Sequence, residues 1–251
     1  MLPNSFETIR FDSTESTNTY AKEQIRRGSA IRCVITAASQ TEGRGRGENS
    51  WKSPVGGLYL TVAAPVNQAL SLPSCGPRVA LAVSSILAER YGVVAGIKWP
   101  NDLLIDDRKL AGFLLELVHD RDGAMHLVVG FGCNVNVVPP WDAQMHFPPT
   151  SLCEESGKAQ IDLQELASSV AAGIVGAIFE PSYPVASEES VLAALRQMSA
   201  TIGRNVTLRL PASKSLSGIA LDINSRFALL VEHDGLITEV EAGDCFHTLT
   251  S

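Results

Sequence analysis

One stretch of 15 residues constrains the fold more than any other: Lys98-Trp-Pro-Asn-Asp-Leu-Leu-Ile-Asp-Asp-Arg-Lys-Leu-Ala-Gly112. Pro100 lacks a backbone N–H and biases Trp99 towards extended geometry, so Gly96 to Trp99 is predicted to be a strand that stops at Pro100. Asn101 and Asp102 carry turn chemistry and Leu103 to Ile105 form a short second strand. Asp106, Asp107 and Arg108 then make a polar reversal into a third strand, Lys109 to Val118. That third run is almost wholly apolar, the pattern of a strand covered on both faces. Lys109 then stands at the mouth of a buried sheet, where an ammonium is rarely placed without an anionic partner. The competing reading is a solvated lysine that closes a hairpin.

The rest of the chain reads as a large core followed by a smaller β-rich unit, which 251 residues can hold. Phe6 to Phe11 is predicted as a short edge strand. Ser16 or Thr17 caps a helix over Thr19 to Arg27 that stops at Gly28. Ile31 to Ala38 and Gly57 to Ala64 are strands, and between them lies a glycine-punctuated loop expected to hold no regular structure. Pro77 suits the first turn of a helix with Val79, Val83, Ile86 and Leu87 on one face. After the three central strands comes another, Met125 to Phe131, giving a mixed sheet with antiparallel neighbours. Pro139 to Gly157 reads as loop. Asp162 with Glu165 resembles a capping box ahead of an amphipathic helix through Ile178, and Ser187 caps one more. Beyond Gly203 the pattern changes to short β runs, Val206–Leu210, Ser217–Ile223, Phe227–Glu232 and Leu236–Val240, with the boundary near Ile202, so the units are 1–202 and 203–251.

Composition excludes several classes. A net charge of -7 argues against nucleic acid as the main partner, which calls for a basic face. Five cysteines, odd in number and without a C-x-x-C pair, support neither a disulfide framework nor a zinc site and fit reduced thiols in the cytoplasm. The N-terminus has no secretory pattern, and no apolar run approaches membrane-spanning length.

Candidate chemistry lies in the loop Gly43 to Trp51, where Arg44 and Arg46 sit among glycines. Glycines let backbone amides approach an anion, and guanidinium forks match carboxylate and phosphate geometry. The alternative is an exposed loop with solvated arginines. Gly130-Phe-Gly-Cys-Asn134-Val-Asn136 lacks the third glycine and the following helix of a dinucleotide fingerprint. Asn134 and Asn136 either present amides to a ligand or close Asx-turns. There is no Walker-type phosphate loop, no nucleophile elbow and no H-E-x-x-H.

Taken in order, Ser16-Thr17-Asn18, Gln40-Thr-Glu-Gly-Arg-Gly-Arg-Gly with Trp51, Lys98-Trp-Pro-Asn-Asp102, Arg108-Lys-Leu-Ala-Gly112 and Gly130 to Asn136 resemble the signature motifs of biotin protein ligases. The β-rich tail is similar to that family's C-terminal unit. In one place the chain departs from many bacterial members: Gly47-Glu-Asn-Ser50 precedes Trp51 where they repeat a Gly-Arg pair. Only 15 residues precede Ser16, too few for the DNA-binding domain of members that double as repressors.

The resemblance implies an α+β fold: a mixed, largely antiparallel sheet packed with helices, like class II aminoacyl-tRNA synthetases and lipoate ligases, plus a small Src-homology-3-like β-barrel. It implies activation of biotin with ATP and Mg²⁺ to biotinyl-5′-AMP, then transfer to a lysine of the biotin carboxyl carrier domain of a carboxylase, in a monomer or homodimer. Ser16, Thr17, Gln40, Gly43, Arg44, Lys109, Gly112, Gly130 and Gly132 would line the biotin site. Arg46, Trp51, Asn101 and Asn134 would contact the nucleotide, and Asp102 would hold Mg²⁺ through water. Lys109, Arg46 and Arg44 would be catalytic, gathering positive charge where a carboxylate meets an α-phosphate. A lipoate or octanoyl ligase of the same superfamily and a non-catalytic biotin or adenylate sensor are the rival readings.

Overall fold

The computed structural model describes residues 6–28, 32–66, 71–141, 145–179, 186–210 and 214–248. Ile31, the expected start of the second strand, lies outside the described residues. The first sheet contains β1 (Glu7–Phe11), β2 (Cys33–Ala37), β3 (Leu58–Pro65), β4 (Gly96–Lys98), β5 (Asp102–Ile105), β6 (Arg108–His119) and β7 (Met125–Cys133). Their spatial order is β1-β2-β3-β7-β6-β5-β4, and only β1 with β2 is parallel.

Period-2 alternation assigns the two faces of this sheet. Leu58, Leu60, Val62 and Ala64 of β3 join Val79, Val83 and Leu87 of α2 (Leu72–Tyr91) and Leu166, Val170 and Ile174 of α4 (Leu163–Ile178) in the main core. Ala63 of β3 faces the other way, with Cys33 and Ile35, against Ala21 and Ile25 of α1 (Thr17–Arg26). β3 is thus packed on both sides, as are β2, through Val34 against Cys33 and Ile35, and β7, through Leu127 and Val129 against Val128. β6 is not, which corrects the reading of its apolar run: Leu114 and Leu115 are half-buried and Leu117 is 44% exposed. Its Gly112, Phe113 and Leu114 border a cavity, and sequence does not separate apolar residues that face a cavity from those packed against protein.

Ser16 caps α1, accepting from the Thr19 amide, and Gly28 follows the helix at φ +89. α2 starts earlier than expected. Ser71 precedes it, Pro73 is in the first turn, and Pro77 lies one turn inside, where its missing N–H would have met the carbonyl of Pro73. Gly92, left-handed at φ 69, ends it. Asp162 accepts from the amides of Gln164 and Glu165 as the cap of α4, and Ser187 caps α5 (Glu188–Gln197). The stretch expected as loop holds a single helical turn, α3 (Leu152–Ser156), too short to show periodicity.

The second sheet, β8 (Asn205–Arg209), β9 (Ser215–Ile223), β10 (Leu229–His233), β11 (Leu236–Val240) and β12 (Asp244–His247), is antiparallel throughout in the order β11-β10-β9-β8-β12. It is an open sheet and not a closed barrel. β11 and β12 are its two edges, and β11 is left open with Leu236 71% and Ile237 63% exposed. β12 was missed because its pairing with β8 is non-local. Trp99 joins the two sheets: its amide donates to Thr201 Oγ1 (3.0 Å) and its indole N–H to the Phe227 carbonyl (3.2 Å). No helix among the described residues is long and apolar enough to cross a membrane.

Candidate active site

A cavity of about 300 Å³ opens where β6 and β7, the N-terminus of α1, the 40–53 segment, the approach to Pro149 and β12 converge. Its floor is bare main chain. Gly112 of β6 pairs directly with Gly132 of β7, and the Trp51 indole lies over both. A Cβ on Gly132 would fall 2.6 Å from the indole and one on Gly112 3.2 Å, while a Cβ on Gly130 would fall 2.3 Å from Asn18 Oδ1. Glycine is required at these positions because side chains lie flat on the sheet.

The 40–53 segment has more order than its glycines suggest. Bridges join Gln40 to Ser53 and Arg44 to Ser50, the Trp51 amide donates to the Gly43 carbonyl (2.8 Å), and Gly45 donates to Asn49 (2.7 Å). It is a hairpin ribbon, and Gly43 serves it. A Cβ there would strike the Trp51 carbonyl at 2.4 Å, and Gly43 does not line the cavity. At the tip, Arg46 Nη1 donates to the Gly243 carbonyl (2.9 Å), fastening the ribbon to the second sheet.

One end of the cavity is a neutral-to-acidic network. Gln40 Oε1 accepts from the Thr17 amide (2.9 Å) and hydroxyl (3.2 Å), and its Nε2 donates to Ser53 Oγ (2.8 Å). Thr61 Oγ1 donates to Asn18 Oδ1 (2.6 Å), and Asn18 Nδ2 donates to Glu116 Oε2 (3.0 Å). Glu116 also pairs with Lys22 at 2.6 Å and Arg44 at 3.6 Å. Burial alone would raise the Glu116 carboxyl, but bonds from Lys22 and Asn18 and the charge of Lys22 and Arg44 hold it below the usual range.

The other end is cationic. Lys109 Nζ stands 2.9 Å from Asp102 Oδ1 and Lys98 Nζ 3.2 Å from Asp102 Oδ2. Burial works to raise the Asp102 carboxyl, yet the two ammonium groups outweigh it and keep it at about 2. The anionic partner expected for Lys109 is therefore its own strand neighbour across β5. This arrangement does not fit a magnesium ion. Both Asp102 oxygens already face ammonium groups, and no cluster of three His, Cys, Asp or Glu able to hold a metal exists among the described residues.

Ser16, Thr17, Gln40, Arg44, Arg46, Trp51, Asn101, Asp102, Lys109, Gly112, Gly130, Gly132 and Asn134 all border this one cavity, drawn from distant parts of the chain. Two of them hold the frame. Asn101 Nδ2 donates to the Phe113 carbonyl (2.6 Å), and Asn134 Nδ2 donates to the carbonyls of Thr150 (3.0 Å) and Lys109 (3.3 Å), so both amide groups are taken up by main chain. Sequence reasoning assigned no role to Asn18, Lys22, Lys98 or Glu116. Glu116 was detectable as the one carboxylate inside an otherwise apolar strand, since such a group is rarely buried unpaired.

Over 243 residues the chain is 30% identical to the biotin–[acetyl-CoA-carboxylase] ligase of Mycobacterium tuberculosis, covering 93% of this chain and 86% of that protein. It is likewise 30% identical to the bifunctional ligase/repressor BirA of Escherichia coli, covering 92% and 70%. The chain belongs to the biotin protein ligase family. Two family descriptions divide along the two sheets: residues 10–134 match the biotin/lipoate A/B protein ligase family, and residues 201–248 the biotin protein ligase C terminal domain. The fold agrees with that of the biotin protein ligase from Aquifex aeolicus in complex with biotin and ATP, at a TM-score of 0.78 and 25% identity over 97% of this chain and 99% of that one. Within the biotin protein ligase fold, the cavity is thus bordered by both of the parts that the family descriptions recognise.

Proposed function

We propose that this chain joins biotin to ATP as biotinyl-5′-AMP and then passes the biotinyl group to a lysine of a biotin carboxyl carrier domain. The observation that carries the reading is charge: five cations, Arg44, Arg46, Lys52, Lys98 and Lys109, border one cavity against three carboxylates, Glu48, Asp102 and Asp244, with Glu116 beside Arg44. In the first step a biotin carboxylate oxygen bonds to the α-phosphorus and pyrophosphate departs. Two anions meet there, and each charge-assisted contact that relieves their repulsion contributes roughly 1.5–3 kcal/mol. Lys109 bridges carboxylate and α-phosphate, leaving Asp102 to Lys98. Arg46 clamps the phosphates and Arg44 orients biotin, while the Thr17–Gln40 end of the cavity offers paired donors and acceptors to a polar head group. Trp51 gives adenine a flat surface. In the second step the acceptor amine attacks the acyl carbon and AMP leaves.

The catalytic unit is 1–202, and 203–251 forms the small C-terminal unit. Five unpaired cysteines suit a reducing, cytoplasmic setting. The test is to incubate the protein with ATP, a carrier domain, and either biotin or lipoate. Pyrophosphate release with biotin and a streptavidin-positive carrier are expected; release with lipoate alone would overturn the reading in favour of a lipoate ligase.

A further inference from the structure

Glu116, the one carboxylate of β6, does not itself border the cavity but is tied to it through Asn18, which does. Its two oxygens are divided between partners. Oε1 faces Lys22 Nζ at 2.6 Å and Arg44 Nη1 at 3.6 Å, and Oε2 accepts from Asn18 Nδ2 at 3.0 Å. Asn18 Nδ2 also donates to the Leu114 carbonyl (3.3 Å). Both groups facing that nitrogen are acceptors only, so the amide can stand only one way round, with Oδ1 towards Thr61.

Thr61 has one hydroxyl proton and two oxygens within reach, Asn18 Oδ1 at 2.6 Å and Thr17 Oγ1 at 2.8 Å. With the Asn18 amide fixed, that proton goes to Asn18. The Thr17 hydroxyl gives its own proton to Gln40 (3.2 Å), which leaves its oxygen able to accept at the cavity wall. Thr61 is fully buried and Asn18 and Lys22 nearly so; a reversal at one member is therefore passed to the next, because bulk water is not there to absorb it.

We propose that Glu116 is a positioning residue for the ligand. By orienting Asn18 it keeps the Thr17 oxygen open to an N–H of the polar head group, so this end of the cavity favours a cyclic urea, which carries two such donors, over a ring that has none. This rests on the function proposed above, in which biotin is the acid that enters.

Glu116→Gln keeps the shape of the side chain and reverses the pattern. Lys22 can only donate, so it claims the oxygen of the new amide and turns the amide nitrogen on Asn18. Asn18 must then turn over, Thr61 accepts from it, and the Thr61 proton moves to Thr17. The calorimetric Kd for biotin is expected to rise about tenfold, and the KM for biotin in pyrophosphate exchange with it, while kcat and the KM for ATP stay within about twofold. Lipoate, whose ring has no N–H, should bind the variant and the wild type alike. Adding Lys22→Met frees the glutamine to offer its oxygen to Asn18, so the double variant is expected to bind biotin within about threefold of the wild type. Unchanged biotin affinity in Glu116→Gln, an equal loss for lipoate, or a double variant as weak as the single one would overturn the proposal. So would a fall in kcat at constant KM, the result of losing folded enzyme. A wild type that binds biotin but releases no pyrophosphate would refute the catalytic reading and leave the Kd comparison to decide the role of Glu116; one that binds no biotin would overturn both.

Discussion

Replacing Asp102 by Asn removes one charge from between two ammonium groups that differ in their access to water. The Lys109 side chain is 31% exposed and can turn outward; the Lys98 side chain is 6% exposed and cannot. Burial would raise the Asp102 carboxyl, but Lys109 and Lys98 hold it at about 2 where 3.8 is ordinary. That difference amounts to about 2 kcal/mol in favour of the charged form. Because the folded value is the lower one, this stability is present above pH 3.8 and lost as the pH falls through about 2. At neutral pH the substitution also strands Lys98, and breaking a buried pair costs about 3–5 kcal/mol. We expect Asp102→Asn to lose about 3 kcal/mol, at the bottom of that range because Lys109 escapes to solvent. Urea denaturation at pH 7 followed by tryptophan fluorescence measures it. An adenylate analogue should restore more stability to the variant than it adds to the wild type, since its phosphate supplies the missing negative charge. A loss below about 1 kcal/mol, the size of an exposed ion pair, would refute the reasoning.

Lys109→Ala is expected to slow biotin-dependent pyrophosphate exchange by about 10² to 10³ while weakening calorimetric biotin binding far less, and equal losses would count against a bridging role. Gly132→Ala places a methyl group against the Trp51 indole; it should cost about 1–3 kcal/mol in urea denaturation and raise the KM for ATP. His247 is buried, with Nε2 3.1 Å from Thr201 Oγ1, and burial together with Lys98 lowers its pKa to about 4. The neutral ring therefore contributes stability that is full above the ordinary value of 6.5 and lost as the pH falls through about 4, about 3 kcal/mol in all. His247→Gln should flatten the wild-type stability profile between those two pH values, and an unchanged slope would exclude this histidine as its source.

The local punctuation of the chain was readable: Ser16, Asp162 and Ser187 cap the helices they were expected to cap, and the turn chemistry from Asn101 to Arg108 delivers three consecutive antiparallel strands. What sequence did not show depends on distance along the chain or on what a side chain faces. Pro77 carries the same signature as Pro73, and only the helix itself shows which opens it. The Arg46 contact with Gly243 spans almost the whole chain and has no local mark. Lys109 was predicted to need an anion, yet nothing in the sequence said that Asp102 satisfies it from the neighbouring strand while sharing itself with Lys98. The polar residues of the cavity gather because their motifs lie at the ends of adjacent strands, so recognising each motif preceded knowing that they meet.

A shelf made of Gly112 and Gly132 has a consequence for any attempt to redesign the pocket. Every other residue type at those positions fills space, so substitutions there can only thin the slot and never widen it. Selectivity is adjustable from the ribbon overhead, whose Trp51 sets the clearance, while the strands beneath fix the thickest planar ring that will ever fit.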